Sequence, residues 1–115
     1  LIKKGKKIKN IWYKAAQNAG LDITIQGIDP LASFKLNIKD WRTGATYFIQ
    51  EMLKKRILAS DRCYANYMHT DSLIRKYELA CFEIFKKIAE LEKNNKLSQS
   101  LEGPPKQMDF GRLTN

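Results

Sequence analysis

Cysteine is scarce, with two residues in 115, and Cys63 and Cys81 offer neither a disulfide framework nor a pair at zinc-ligand spacing. A reduced, cytoplasmic setting is expected. No apolar run approaches the ~20 residues needed to span a bilayer, and no signal-peptide core is present. The chain is therefore read as neither membrane-spanning nor secreted. Histidine occurs once, at His69, with no acid at motif spacing beside it, and no Gly-x-Ser-x-Gly elbow or cysteine-centred partner set marks a nucleophile. Gly44 stands alone, so no glycine-rich turn is available to cradle phosphate. The carboxylates do not pair at a spacing that suggests metal. Catalysis by this chain alone is not expected.

What is abundant is positive charge. Lys and Arg number 21 against 12 Asp and Glu, giving a formal +9, a balance that raises nucleic acid as a partner. Lys3, Lys4, Lys6, Lys7 and Lys9 cluster early, but Ile8, Ile11, Trp12 and Ala15 share one helical face and leave the lysines around the other. A solvated helix face accounts for them more simply. Nor do aromatic and basic residues interleave along a strand as stacking platforms for RNA do. Nucleic acid is the alternative reading, not the first.

Apolar positions recur at three- and four-residue intervals from Ile2 to Ala19, and Gly20 follows where a left-handed cap would sit. This predicts a helix. Leu21 to Gln26 and Ala32 to Asn37 alternate apolar with polar residues across a turn marked by Gly27 and Asp29-Pro30, which predicts an antiparallel pair of strands. Asn37 to Gly44 reads as a polar connection whose Trp41 covers the sheet edge or meets a partner domain. Helical spacing returns from Ala45 to Leu53 and ends in Lys54-Lys55-Arg56. Ile57-Leu58-Ala59 is short and apolar, a third strand. After a turn at Ser60-Asp61-Arg62 and an extended passage from Tyr64 to Met68, Thr70 is placed as an N-cap with Asp71 beside the positive end of the helix dipole. The stripe Leu73, Ile74, Tyr77, Cys81, Phe85 and Ile88 then continues a helix to Asn94-Asn95, and Cys81 on that stripe reads as a small buried hydrophobe.

The order is helix, strand, strand, helix, strand, helix, tail, with no internal repeat. The expected fold class is α+β, a small and mainly antiparallel three-stranded sheet covered on one face by helices. Residues 1–95 form the domain and 96–115 an extended tail anchored by Leu101, Phe110 and Leu113. The opening Leu1-Ile2-Lys3-Lys4, with helical periodicity soon under way and no cap ahead of it, reads as a cut near the start of a helix.

Around the third predicted strand lie the candidate site residues. A guanidinium such as Arg62 offers a bidentate fork for a carboxylate, although an exposed turn arginine is the plainer outcome. Tyr64 and Tyr67 lie three apart and so point to opposite faces of an extended segment. His69 can bond a backbone carbonyl at the junction or face a cleft.

Leu58-Ala59-Ser60, Tyr64 and His69-Thr70-Asp71, taken in order, resemble the C-terminal small domain of class III, fold-type I pyridoxal-phosphate aminotransferases, in the group similar to glutamate-1-semialdehyde aminotransferase. Gly27 with Leu31-Ala32-Ser33-Phe34, the helix Ile49 to Leu53, and the tail Leu101-Glu102-Gly103-Pro104 with Phe110 to Leu113 extend the likeness over essentially the whole chain. Asn66 and Tyr67 depart from the small polar residues of that pattern. The resemblance implies a domain that packs on a large domain of the same chain and helps close the substrate cleft, in a parent that is a homodimer. It implies pyridoxal 5'-phosphate in that parent, bound by groups of the large domain, so that no lysine here forms the Schiff base. Ser60, Arg62 and Tyr64 are then the substrate-cleft candidates, with His69 and Thr70 supporting the junction. The alternative is a free-standing basic α+β module for nucleic-acid binding or protein interaction.

Overall fold

Helix α1 (Ile2–Ala19) leads into an antiparallel hairpin of β1 (Ile23–Gln26) and β2 (Ser33–Leu36), followed by α2 (Trp41–Lys54), α3 (Asp71–Lys93) and a 3-10 turn at Ser98–Ser100. The computed structural model describes residues 2–27, 32–57 and 70–103, with side chains from Gly5 onward. The chain is α+β, with one two-stranded sheet among the described residues.

Register explains which face of the hairpin is inside. Ile23 lies opposite Leu36 and Ile25 opposite Phe34, and directly opposed residues share a face. That apolar face rests on the helices. The other face carries Thr24, Gln26, Ser33 and Lys35 and is half-buried or exposed. Asn37 closes the open end: its amide donates to Asp22 O at 3.0 Å, and its Nδ2 donates to Asp22 Oδ2 at 2.6 Å.

Phe34 is the hub of the core. Its ring centroid lies 4.8 Å from Trp12, 5.5 Å from Trp41, 5.2 Å from Phe48 and 5.3 Å from Phe85, within the range of favourable aromatic pairs. The hairpin and all three helices thus meet on one side chain. Across the α1–α3 contact, the Trp12 indole donates to the Tyr77 hydroxyl at 2.9 Å in a buried hydrogen bond.

The start of the second helix is corrected. The segment read as a polar connection up to Gly44 is already helical from Trp41, because Asp40 caps it by accepting from the Thr43 hydroxyl at 2.6 Å and the Thr43 amide at 3.3 Å. Those bonds favour the ionised carboxyl and hold Asp40 below its usual range. Polar Arg42, Thr43 and Gly44 hide the apolar period in that first turn. Gly44 has a packing reason of its own: an added Cβ would sit 2.8 Å from Trp41 Cε3 and 2.9 Å from Ile38 Cδ1. Both tryptophans lie in the core, Trp12 on the apolar face that its spacing predicts. Trp12 is fully buried and Trp41 is 8 % exposed, with its indole Nε1 lacking an acceptor among the described residues.

The predicted third strand divides. Ile57 is buried outside any strand, and its amide donates back to Met52 O at 2.9 Å while Arg56 N donates to Leu53 O at 2.8 Å. This pair is a Schellman closure, with Ile57 and Met52 supplying the accompanying apolar contact positions. Leu58 and Ala59 lie outside the described residues. Equivalent bonds end α1 at Gly20 and α3 at Asn95.

The three closures differ in the residue that must turn left-handed: Gly20 at φ +73°, Asn95 at +56° and Arg56 at +63°. Glycine tolerates that conformation and asparagine partly so, whereas arginine is strained. Arg56→Gly is accordingly expected to stabilise the chain by about 0.5–1 kcal/mol. A urea midpoint that falls instead would mean that the Arg56 side chain contributes more than its backbone costs.

Candidate functional site

The loop that carries the candidates leaves α2 at one well-defined point and enters α3 at another. At its exit, Ile57 is buried and fixed by the Schellman closure. At its entry, Thr70 takes an extended backbone and its Oγ1 accepts the Leu73 amide at 3.1 Å. The N-cap position of α3 is therefore occupied by Thr70, and Asp71 stands in the first turn, where negative charge is favoured by the helix dipole. Lys7 of α1 reaches Asp71 at 3.7 Å, joining the amino-terminal half of α1 to the start of α3.

Ser60, Arg62, Tyr64 and His69 themselves lie outside the described residues, as do Cys63 and the passage from Tyr64 to Met68. The described structure therefore places the two ends of the candidate loop and the Thr70 cap.

A second constellation, on α2, is not signalled by periodicity. The Gln50 carboxamide grips the chain after the 3-10 turn: its Nε2 donates to Ser100 O at 3.0 Å, and its Oε1 accepts from Glu102 N at 2.7 Å. One turn on, Lys54 pairs with Glu102, and with Glu51 at 3.0 Å. The two carboxylates hold its ammonium above the ordinary lysine range. Between α2 and this segment lies an open groove of about 360 Å³, lined by Thr46, Ile49, Gln50, Leu53, Lys54, Glu102 and Gly103. The only sequence signal for the clamp is that Gln50 interrupts an apolar stretch, which does not name its partners.

On the α3 side of α2, Lys55 pairs with Glu83 at 2.8 Å, and Tyr47 is buried. Burial disfavours the Tyr47 phenolate and nearby Glu51 repels it, so the phenol is pushed up to about 12 from its ordinary 10.0. The unfolded chain releases this proton at lower pH than the folded one. Tyr47 therefore contributes stability that is whole below pH 10 and falls away as pH rises from 10 towards about 12. Tyr47→Phe is expected to flatten that part of the alkaline unfolding profile, as followed by urea midpoints; an unchanged profile would assign the fall to other groups.

Among the described residues no group of three or more His, Cys, Asp or Glu side chains is placed to hold a metal ion. No described helix is long and apolar enough to cross a membrane. The α1 lysines with described side chains point outward or bridge locally: Lys6, Lys7 and Lys14 are exposed, and Lys9 donates to Gly27 O at 3.2 Å.

Comparison with known proteins gives no match to a family model, to a curated protein or to a solved structure.

Proposed function

We propose that this chain is the small domain of a class III pyridoxal-phosphate aminotransferase or aminomutase, similar to glutamate-1-semialdehyde aminotransferase, cytoplasmic and homodimeric in its parent form. It packs on the large domain and helps close the substrate cleft, with Ser60, Arg62 and Tyr64 on the cleft side and Leu58-Ala59 completing a third strand. The observation that carries the reading is the ordered run Leu58-Ala59-Ser60, Tyr64, His69-Thr70-Asp71 between two helices, with Thr70 serving as the cap of the second.

The lysines support placing the cofactor elsewhere. A Schiff-base lysine needs an ammonium that gives up its proton readily, commonly through burial. No lysine whose side chain is described is buried, and the carboxylates at Lys54 push in the opposite direction. Within the cleft, the work left to this chain is to bind, orient and exclude water, with Arg62 as the residue able to fork onto a substrate carboxylate.

The test is made on the whole gene product and on this chain side by side. Pyridoxal phosphate is expected to give a visible internal-aldimine band with the whole product and none with residues 1–115. An aldimine on this chain alone would overturn the assignment of the lysine. A whole product with no aldimine, together with duplex binding that weakens steeply as salt rises, would replace the reading with the basic-module alternative.

A further inference from the structure

The helices differ in how their charge is balanced. On α3 five Asp and Glu stand among five Lys and Arg, and cations at the end of α2 and along α3 meet carboxylates: Lys54 with Glu51, Lys55 with Glu83, Arg75 with Glu78 and Lys87 with Glu90. Helix α1 carries six lysines and no acidic residue. Lys7 reaches Asp71 at 3.7 Å, whereas the exposed Lys6 and Lys14 meet no carboxylate among the described residues. Like charges three and four residues apart, as at Lys6 and Lys9 or Lys3 and Lys7, weaken a helix. A bound anion relieves that repulsion. Because Ile8, Ile11, Trp12, Ala15 and Ala16 are buried, the residues turned outward are Lys6, Asn10, Tyr13, Lys14, Gln17 and Asn18. No aliphatic side chain stands among them. The Tyr13 ring is 51 % exposed and its hydroxyl accepts from Gln17 Nε2 at 3.2 Å, a bond that holds the ring on the surface and leaves the phenol able to donate.

We propose that the outer face of α1 binds the phosphate backbone of a nucleic acid, with Lys6 and Lys14 as the cationic contacts and Asn10 and Tyr13 as hydrogen-bond donors beside them. Lysine, amide and tyrosine side chains are among those that hold phosphate oxygens in such complexes. Lys6 and Lys14 lie about 12 Å apart along the axis at ~1.5 Å per residue, and duplex DNA carries a charge every ~1.7 Å, so both ammoniums meet phosphates without deforming the duplex. Contacts of this kind position a protein and read no base. Binding is therefore independent of sequence. An acidic protein suits the face less well, because protein interfaces have an apolar centre and few lysines, the reverse of what α1 presents. A lipid surface takes up the apolar face of a helix, and that face of α1 is buried in the core. The inference does not rest on the aminotransferase reading, which the aldimine tests separately, and both can hold in one protein.

The test follows a short fluorescein-labelled duplex by anisotropy as the chain is added at several salt concentrations. The unmodified chain is expected to bind it, with an affinity that falls steeply as salt rises. Lys6→Glu with Lys14→Glu is expected to weaken binding by about tenfold or more at ~0.1 M salt, and to lower the slope of log affinity against log salt by roughly two, one for each lost phosphate contact. Lys6→Gln with Lys14→Gln, which removes the charges without reversing them, should lower the slope equally and guards against a misfolded variant. Lys76→Glu with Lys86→Glu makes the same change in net charge at exposed positions of α3 and is expected to leave the slope unchanged, since cations away from the contact release no counterions. Equal losses in the α1 and α3 variants would reduce the effect to net charge and overturn the site, as would a chain that does not bind the duplex at low salt. Polyglutamate or phosphatidylserine vesicles that displace the duplex as well as unlabelled duplex does, at equal charge, would overturn nucleic acid as the partner in favour of an acidic protein or a lipid surface.

Discussion

Phe34→Ala is expected to lower stability by about 3–5 kcal/mol, the range for deleting a buried aromatic side chain. The upper half of that range applies because the ring touches Trp12, Trp41, Phe48 and Phe85, which belong to three different helices. Collapse of any one helix into the vacancy pulls it from the others, so relaxation recovers little. Small domains hold only about 5–15 kcal/mol in all. The variant should therefore sit near its unfolding transition at ordinary temperature. Urea unfolding followed by tryptophan fluorescence reads this directly, and a loss of less than about 1 kcal/mol, typical of a surface site, would remove Phe34 from the centre of the core.

The second large effect is expected across the α1–α3 contact. Trp12→Ala removes the largest fully buried side chain and should cost about 3–5 kcal/mol. Tyr77→Phe is the finer probe. It keeps the ring but takes away the acceptor of the Trp12 N–H, leaving a donor inside the core with a penalty of about 1–3 kcal/mol. Adding Trp12→Phe to Tyr77→Phe removes the stranded donor, so the two losses should not add. A cycle with no coupling beyond about 0.5 kcal/mol would contradict a hydrogen bond that matters to stability.

Much of the fold can be read in the sequence where period and cap agree. The spacing from Ile8 to Ala19, the glycine after it, and the alternation on both strands each set an element whose buried face is the expected one. Thr70 is readable for the same reason, since a hydroxyl ahead of an amphipathic run has one common use. The start of α2 is not readable from periodicity, because a cap made by Asp40 to Thr43 is a matter of three polar residues. Tertiary packing of Trp41 over Gly44 then supplies the apolar surface that the pattern there lacks. Arg56 is hidden for a different reason: its left-handed backbone is imposed by the closure of α2 on Ile57, against the preference of the residue itself.

The candidate site divides along the same line. Ser60, Arg62 and Tyr64 rest on a likeness of order and spacing, which local physics neither generates nor replaces. The clamp at Gln50 is invisible in sequence because both of its partners are main-chain groups far along the chain, and no side-chain pattern at Ser100 or Glu102 encodes them.

That last property has a consequence for tolerated change. A carboxamide that donates to one carbonyl and accepts from an amide two residues on presents the same face as a peptide unit, so it recognises the course of the backbone and is indifferent to what the backbone carries. The side chain at position 100 does not enter this hold, whereas Leu101 between the two partners packs against the core and is constrained on its own account. At position 102 only proline, which has no N–H to offer, would release it, whereas shortening the side chain at 50 would release it whatever follows.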